Sequence, residues 1–165
     1  WPVGETSLCP LDAWDFAPFK ALSDMPMAMT AHVVFTAVDP KRPATTSKKG
    51  VRLMRQHLGF SGLIMSDDLS MQALSGTLTE RAEQSLKAGW DVILHCNGDL
   101  AEMRQVAEGT GKLKGEAKRR AEASLARIVH TPEPLDVVEA RARLEAALSG
   151  RFEAAKGPDV GEAQA

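Results

Sequence analysis

The sequence contains few cysteines, little net charge and no long apolar run. Its two cysteines, Cys9 and Cys96, are far apart and belong to no C-x-x-C pair, which excludes a disulfide framework and a zinc ribbon. Lysine and arginine number 20 against 22 acidic residues, so the formal net charge of −2 gives no reason to expect binding to nucleic acid or to an anionic membrane. The apolar stretches fall short of the roughly 20 residues that a membrane-spanning helix needs. We therefore expect a cytoplasmic protein without a membrane span.

The composition that remains is that of a folded chain. Of the 165 residues, 44% are hydrophobic and 25% are charged, which is close to the average for globular proteins. We expect residues 1–149 to be ordered. From residue 150 onward the sequence is polar, rich in Ala and Gly and without a helical or strand period, so we expect residues 150–165 to form a disordered tail.

Short apolar runs alternate with segments of helical period in the middle of the chain. Three strands are predicted, at residues 27–34, 62–67 and 90–96. The first crossover helix begins at the candidate N-cap Ser47, and the second begins with Thr77 and Glu80 at the spacing of a capping box. A third helix is predicted over 99–109. Strands separated by helices favour βαβ units and a parallel sheet, which places the fold in the α/β class.

The residues at the strand ends are the first candidates for a site, because ligands of parallel α/β folds bind at the carboxyl ends of the strands. At or near these ends lie His32, Ser66-Asp67-Asp68 and His95-Cys96-Asn97. Asp67 and Asp68 are the strongest candidates, because two adjacent carboxylates leaving a buried strand are costly without water, a partner or a ligand. Such a carboxylate can act as a nucleophile, a general base or a metal ligand.

Each candidate also has a structural interpretation. Asp68 would cap the following turn, and Asp67 would pair with a lysine or arginine. His32 is either a core histidine bonded to a backbone carbonyl or a polar group that contacts substrate. We interpret His95 and Cys96 as packing residues, because no neighbouring carboxylate joins them in the sequence.

A series of motifs carries a resemblance to a known family. In chain order they are Met-Thr-Ala-His-Val at 29–33, Asp-Pro at 39–40, Arg-Pro-Ala-Thr-Thr-Ser at 42–47, Leu-Met-Arg at 53–55, Leu-Gly-Phe-Ser-Gly-Leu-Ile at 58–64 and Ser-Asp-Asp-Leu-Ser-Met at 66–71. In order and spacing they resemble the bacterial β-N-acetylhexosaminidases of glycoside hydrolase family 3. The resemblance covers roughly residues 11–130, and so many motifs in series make chance similarity an unsatisfactory explanation.

The resemblance implies a (β/α)8 barrel of the TIM type, of which residues 1–149 carry the last three or so β/α units and trailing helices. It implies a retaining enzyme that removes terminal N-acetyl-β-D-glucosamine from a saccharide such as a muropeptide during peptidoglycan recycling. It assigns Asp67 as the nucleophile and His32, Asp68 and Met71 as substrate-binding residues, with Asp68 also orienting the loop. It implies neither a metal nor a cofactor.

The same resemblance identifies a part that these residues do not contain. A retaining glycosidase needs a second group about 5 Å from the nucleophile when both groups are carboxylates. In the family this role belongs to a His/Asp pair on an upstream mobile loop, and the 165 residues contain no such segment. A full barrel also needs roughly 250 residues. We therefore expect the C-terminal piece of an enzyme, with little activity on its own and with an open first-strand edge through which copies self-associate.

Two other functions remain compatible with the sequence. One is a non-catalytic member of the same family, retained as an interaction piece after loss of the catalytic loop. The other is a metal-dependent hydrolase in which His32, Asp67, Asp68 and His95 converge on a divalent ion.

Overall fold

The computed structural model describes residues 2–150, which fall into two compact units. The first unit extends to Val129, and the second begins at His130. In the second unit the described structure is one helix, which Asp136 caps by accepting hydrogen bonds from the Val138 and Glu139 amides. The predicted disordered tail lies almost entirely outside the described residues. Between residues 2 and 150, no helix combines the length and apolarity needed to cross a bilayer.

Parallel strands form the centre of the first unit. The strands are β1 (Val3–Gly4), β2 (Met27–Met29), β3 (Val34–Phe35), β4 (Leu63–Asp68) and β5 (Val92–Leu94). Strands β2, β4 and β5 form a parallel sheet in the order β2-β4-β5, and β1 pairs with β3, also in parallel. The predicted α/β class with parallel strands is therefore confirmed.

Helices connect the strands and follow them. They are α1 (Leu8–Pro10), α2 (Ala17–Ala21), α3 (Lys48–Arg52), α4 (Leu78–Ala88), α5 (Leu100–Thr110), α6 (Gly115–Leu125) and, in the second unit, α7 (Val137–Leu148). A π-helical turn follows α1 at Leu11–Asp15 and another follows α3 at Leu53–His57, while a 3-10 turn at Ala44–Thr46 precedes α3. Helices α3 and α4 lie on the two crossovers between the three strands of the main sheet, as the alternation of periods predicts.

The predicted helix starts are confirmed by their hydrogen bonds. The Ser47 hydroxyl accepts from the Lys49 and Gly50 amides. Thr77 and Glu80 exchange side-chain and backbone hydrogen bonds as a complete capping box. These caps satisfy amides that have no partner inside their own helix, so they fix where each crossover begins.

The predicted strand at 27–34 is wrong in its extent. Ladder pairing with β4 continues only to the Thr30 amide, which donates to the Met65 carbonyl at 2.9 Å. Beyond that point the chain bends, and the Val34 amide donates to the Pro2 carbonyl in the other sheet. At the bend the Ala31 carbonyl accepts from Thr45 Oγ1 at 3.1 Å and the Val33 carbonyl accepts from the Ala44 amide at 2.8 Å, so these backbone groups have partners outside the β4 ladder.

The predicted helix end at Gly109 is also wrong, since α5 continues to Thr110 and Gly111 follows it with φ of 65°. Gly109 lies where α5 packs against α4. A Cβ at Gly109 would stand 2.5 Å from the Thr79 carbonyl oxygen, a distance that no side chain tolerates. The glycine therefore permits close helix packing instead of ending the helix.

Strand β4 lies between two apolar clusters. On one side are Phe60, Ile64, Ala88 and Trp90, and on the other are Leu69, Leu74, Leu78, Ala82 and Val106. Ile64 and Leu69 are completely buried. Burying side chains of this size contributes about 1.5–3 kcal/mol each, so β4 is a rigid support for the residues at its end.

A buried ion-pair cluster holds the opposite end of the sheet, before β5. The Asp91 carboxylate receives Arg55 Nη2 at 2.5 Å, Arg120 Nη1 at 2.8 Å and the Ile64 amide at 2.8 Å. Arg55 also donates to the Gly62 carbonyl at 2.6 Å. One carboxylate thereby joins the turn after α3, helix α6 and the start of β4.

Candidate active site

The carboxyl end of β4 contains an irregularity that the sequence did not reveal. Met65 pairs with Val92 and Asp68 with Leu94, so three steps along β4 correspond to two along β5. Such a bulge changes which way the following side chains point and is common next to active sites. Within it, the buried Ser66 hydroxyl accepts the Leu94 amide at 3.0 Å. No glycine or proline marks the position in the sequence.

Asp67, the predicted nucleophile, is half-buried at this strand end. Its Oδ1 accepts the Asp68 amide at 2.8 Å, and its own amide faces Thr30 Oγ1 at 3.4 Å. Among residues 2–150, no hydrogen bond reaches Asp67 Oδ2. One carboxylate oxygen is thus held by the backbone while the other is free to meet a ligand.

Both carboxylate oxygens of Asp68, in contrast, accept hydrogen bonds from other residues of the protein. Its Oδ1 accepts the amides of Ser70 at 3.0 Å and Cys96 at 3.2 Å, and its Oδ2 accepts the Ser70 hydroxyl at 2.6 Å. Burial acts to raise the pKa of Asp68, but the hydrogen bonds from Ser70 and Cys96 and the charge of His95 outweigh it and hold the pKa below its ordinary value. Asp68 therefore joins the loop after β4 to the loop after β5.

His32 is buried, with 3% of its surface exposed. Its Nε2 lies 2.9 Å from the Asp68 carbonyl oxygen, and its Nδ1 lies 2.8 Å from Thr45 Oγ1. Met71, in the loop after β4, is 44% exposed. The structure thus brings His32, Asp67 and Asp68 together at one strand end, while the substrate contacts assigned to His32, Asp68 and Met71 stay predictions.

A histidine–carboxylate pair lies at the end of β5. His95 Nε2 is 2.9 Å from Glu102 Oε2, and the Asn97 side-chain amide donates to the same oxygen. The hydrogen bonds from His95 and then from Asn97 lower the pKa of Glu102. His95 and Cys96 are predicted to be packing residues because no carboxylate neighbours them in the sequence, but the fold brings Glu102 to His95, and Cys96 is exposed. The sequence signal for this pair was Glu102, which lies in the first turn of α5 and contacts His95 at the end of β5.

The metal site considered for His32, Asp67, Asp68 and His95 does not form. Within residues 2–150, no three His, Cys, Asp or Glu side chains lie close enough together to hold one ion. His32 has both ring nitrogens directed at protein atoms, so it offers no lone pair to a metal in this arrangement.

Parallel strands joined by helices, with acidic residues at a strand's carboxyl end, fit part of a TIM-type barrel, whose sites lie at that end of the strands. The comparison with protein families identifies which barrel this is. The chain belongs to glycoside hydrolase family 3, since the profile of the glycosyl hydrolase family 3 N-terminal domain matches residues 1–131. The family and fold class expected from the motifs are confirmed.

Individual relatives agree with this assignment. A beta-hexosaminidase of Neisseria meningitidis serogroup C is 45% identical over 101 residues, which cover 58% of this chain and 28% of that protein. The structure of NagZ from Neisseria gonorrhoeae in complex with N-trifluoroacetyl-D-glucosamine superimposes with a TM-score of 0.59 at 32% identity, covering 78% of this chain and 41% of that one. The same protein in complex with zinc ion gives a TM-score of 0.60 at 31% identity, covering 91% and 43%.

The matched segments cover a larger share of this chain than of its relatives. The matched segments make up between 25% and 30% of the curated relatives' own length. The activity of the whole relatives therefore bears on this chain as a proposal.

Proposed function

We propose that Asp67 is the nucleophile of a retaining β-N-acetylhexosaminidase that releases terminal N-acetyl-β-D-glucosamine. The observation that carries the proposal is the free Oδ2 of Asp67 at the carboxyl end of a rigid strand, with Oδ1 held by the Asp68 amide. A nucleophilic carboxylate needs this combination of fixed orientation and one unobstructed oxygen. The hexosaminidase names of the relatives support the same reaction.

In this mechanism Asp67 Oδ2 forms a bond to the anomeric carbon as the bond to the leaving oxygen breaks. The transition state resembles an oxocarbenium ion, and the product is a covalent glycosyl-enzyme. An acid/base group protonates the leaving oxygen and then activates the water that hydrolyses the intermediate, which returns Asp67 as a carboxylate. Asp68 orients the loop through Ser70 and Cys96, and Met71 forms an apolar wall of the sugar pocket.

The substrate we propose is a saccharide with a terminal N-acetylglucosamine, such as a muropeptide from peptidoglycan recycling. The structure of the gonococcal relative in complex with N-trifluoroacetyl-D-glucosamine supports a glucosamine-type sugar. We place the reaction in the cytoplasm. Cys9 and Cys96 are both exposed and unpaired, which suits a reducing compartment.

The test is a chimera in which this chain's matching segment replaces that of the meningococcal relative. We expect the chimera to hydrolyse 4-nitrophenyl N-acetyl-β-D-glucosaminide and to release the β-anomer first, as NMR of the fresh product would detect. The unaltered relative is the positive control. A folded chimera without turnover would favour the alternative of a non-catalytic family member, and first release of the α-anomer would refute retention.

We also propose that the 165-residue chain by itself self-associates along β2. In the described sheet β2 is an edge strand, and its Met27 and Met29 are 45% and 51% exposed. They line a groove of about 400 Å³ together with apolar side chains such as Phe19 and Leu22. An unpaired edge beside an apolar groove is a ready surface for a second copy.

Light scattering over a range of concentrations should therefore show a mass that rises with concentration. Met29→Lys should shift the chain toward the monomer, because a charge on an edge strand opposes pairing. Gln72→Lys adds the same charge at an exposed position away from β2 and should leave the mass unchanged. A wild-type chain that stays monomeric throughout the range would refute the proposal.

A further inference from the structure

The side chains behind Asp67 form a continuous hydrogen-bonded chain. The Asp67 amide faces Thr30 Oγ1 at 3.4 Å, and Thr30 Oγ1 lies 2.9 Å from Thr45 Oγ1. Thr45 Oγ1 is 2.8 Å from His32 Nδ1, and His32 Nε2 is 2.9 Å from the Asp68 carbonyl. The path starts at the amide of Asp67 and returns to the carbonyl of the next residue.

The chemistry of each group determines the direction of these bonds. The Asp68 carbonyl can only accept, so His32 Nε2 carries a hydrogen. His32 is 3% exposed, and a neutral ring avoids burying a charge there. The Nδ1 of a neutral ring is then an acceptor, so the single Thr45 hydroxyl hydrogen points to it.

The remaining bonds follow from that one. Since the Thr45 hydrogen is used, Thr30 must donate to Thr45, and Thr30 Oγ1 is left to accept from the Asp67 amide. The competing acceptor for Thr45 is the Ala31 carbonyl at 3.1 Å, which it can reach only by giving up the bond to His32. All four hydrogen bonds therefore donate in the same direction, from the Asp67 amide to the Asp68 carbonyl.

We infer that Thr45 is a positioning residue of the active site, acting through Thr30 and His32 on both ends of the Asp67-Asp68 segment. Thr45 is completely buried and comes from the 3-10 turn before α3, so it is fixed by an element outside the site. The inference rests on the proposed role of Asp67. It gives a function to Thr45, for which the sequence offered none.

The first experiment is nitrogen-15 NMR of the complete 165-residue chain. We expect the His32 ring signals of the neutral form with hydrogen on Nε2. Thr45→Val keeps the side-chain shape but removes the hydroxyl, so it should shift the Nδ1 signal and make the Asp67 amide exchange about 5- to 10-fold faster. Thr45→Ser should restore both, and Thr46→Val is the matched control, because Thr46 makes only a local bond to Pro43.

The second experiment measures kinetics in the chimera. Thr45→Val should lower kcat about 10- to 100-fold with little change in KM, since misplacement of a reacting group affects the chemical step more than binding. Thr45→Ser should recover most of kcat. If the unaltered chimera has no activity, the proposed function fails. The NMR spectra alone then test whether the hydrogen-bonded chain exists.

Two results would overturn the inference. One is a His32 ring with hydrogen on Nδ1 in the wild-type chain. The other is a Thr45→Val variant whose Asp67 exchange, or whose kcat in an active chimera, matches that of Thr46→Val.

Discussion

Asp67→Asn in the chimera should reduce turnover of an aryl N-acetyl-β-D-glucosaminide on the order of 10⁴-fold or more, the scale seen when a catalytic nucleophile is removed. The amide that replaces the carboxylate is a poor nucleophile and forms no stable glycosyl ester. Its oxygen can still accept the Asp68 amide, as Asp67 Oδ1 does at 2.8 Å. We therefore expect the free energy of unfolding to change by less than about 0.5 kcal/mol.

The matched control is Asp99→Asn, which makes the same chemical change at the N-cap of α5. Asparagine is as good an N-cap as aspartate, so neither activity nor stability should change appreciably. Mass spectrometry of the chimera treated with a 2-deoxy-2-fluoro analogue of the substrate should place the covalent label on Asp67. Turnover by Asp67→Asn within about tenfold of the parent, or a label on another residue, would exclude Asp67 as the nucleophile.

Asp91→Ala should destabilise the first unit by about 3–5 kcal/mol, because it leaves two arginines without their counter-charge in a nearly buried site. The Asp91 side chain is 3% exposed, and those of Arg55 and Arg120 are 16% and 20% exposed. Burial lowers the pKa of Arg55, the charge of Asp91 opposes that effect, and the charge of Arg120 adds to it. Without the carboxylate, the two guanidinium groups would repel each other.

Urea unfolding of the 165-residue chain at a fixed low concentration measures this loss as a lower midpoint at constant slope. Glu83→Ala is the control, since it breaks an exposed Lys87–Glu83 pair on α4 and should cost no more than about 0.5 kcal/mol. If the two variants unfold at similar urea concentrations, the buried cluster does not hold the sheet as we describe. The loss should appear in stability first, because Asp91 lies at the opposite end of the strands from Asp67.

The parts of the fold that sequence predicts well are those decided by near neighbours. Ser47 bonds to amides two and three residues away, and Thr77 pairs with Glu80 at a distance of three. Such caps follow from residue type and spacing, whatever the rest of the chain does. The alternation of strand and helix periods is similarly local, and it gave the parallel sheet.

The features that the sequence did not predict depend on contacts between residues far apart in the chain. The strand predicted to reach Val34 ends at Met29, because backbone pairing with β4 stops after the Thr30 amide and the Val34 amide donates to the Pro2 carbonyl instead. Gly109 looked like a helix end, but the carbonyl of Thr79 on α4 is what requires a glycine there. Neither partner can be inferred from the residues next to these positions.

The sequence by itself determined the family, the α/β class and the candidate nucleophile Asp67, because an ordered series of motifs specifies these without coordinates. Only the tertiary structure decided how Asp67 is held. The bulge in β4 exists only once β4 and β5 pair. The contact between His32 and the Asp68 carbonyl, across 36 residues, exists only once β2 and β4 pair. Hydrogen bonds need groups about 3 Å apart and correctly directed, and spacing along a chain fixes neither condition over that separation.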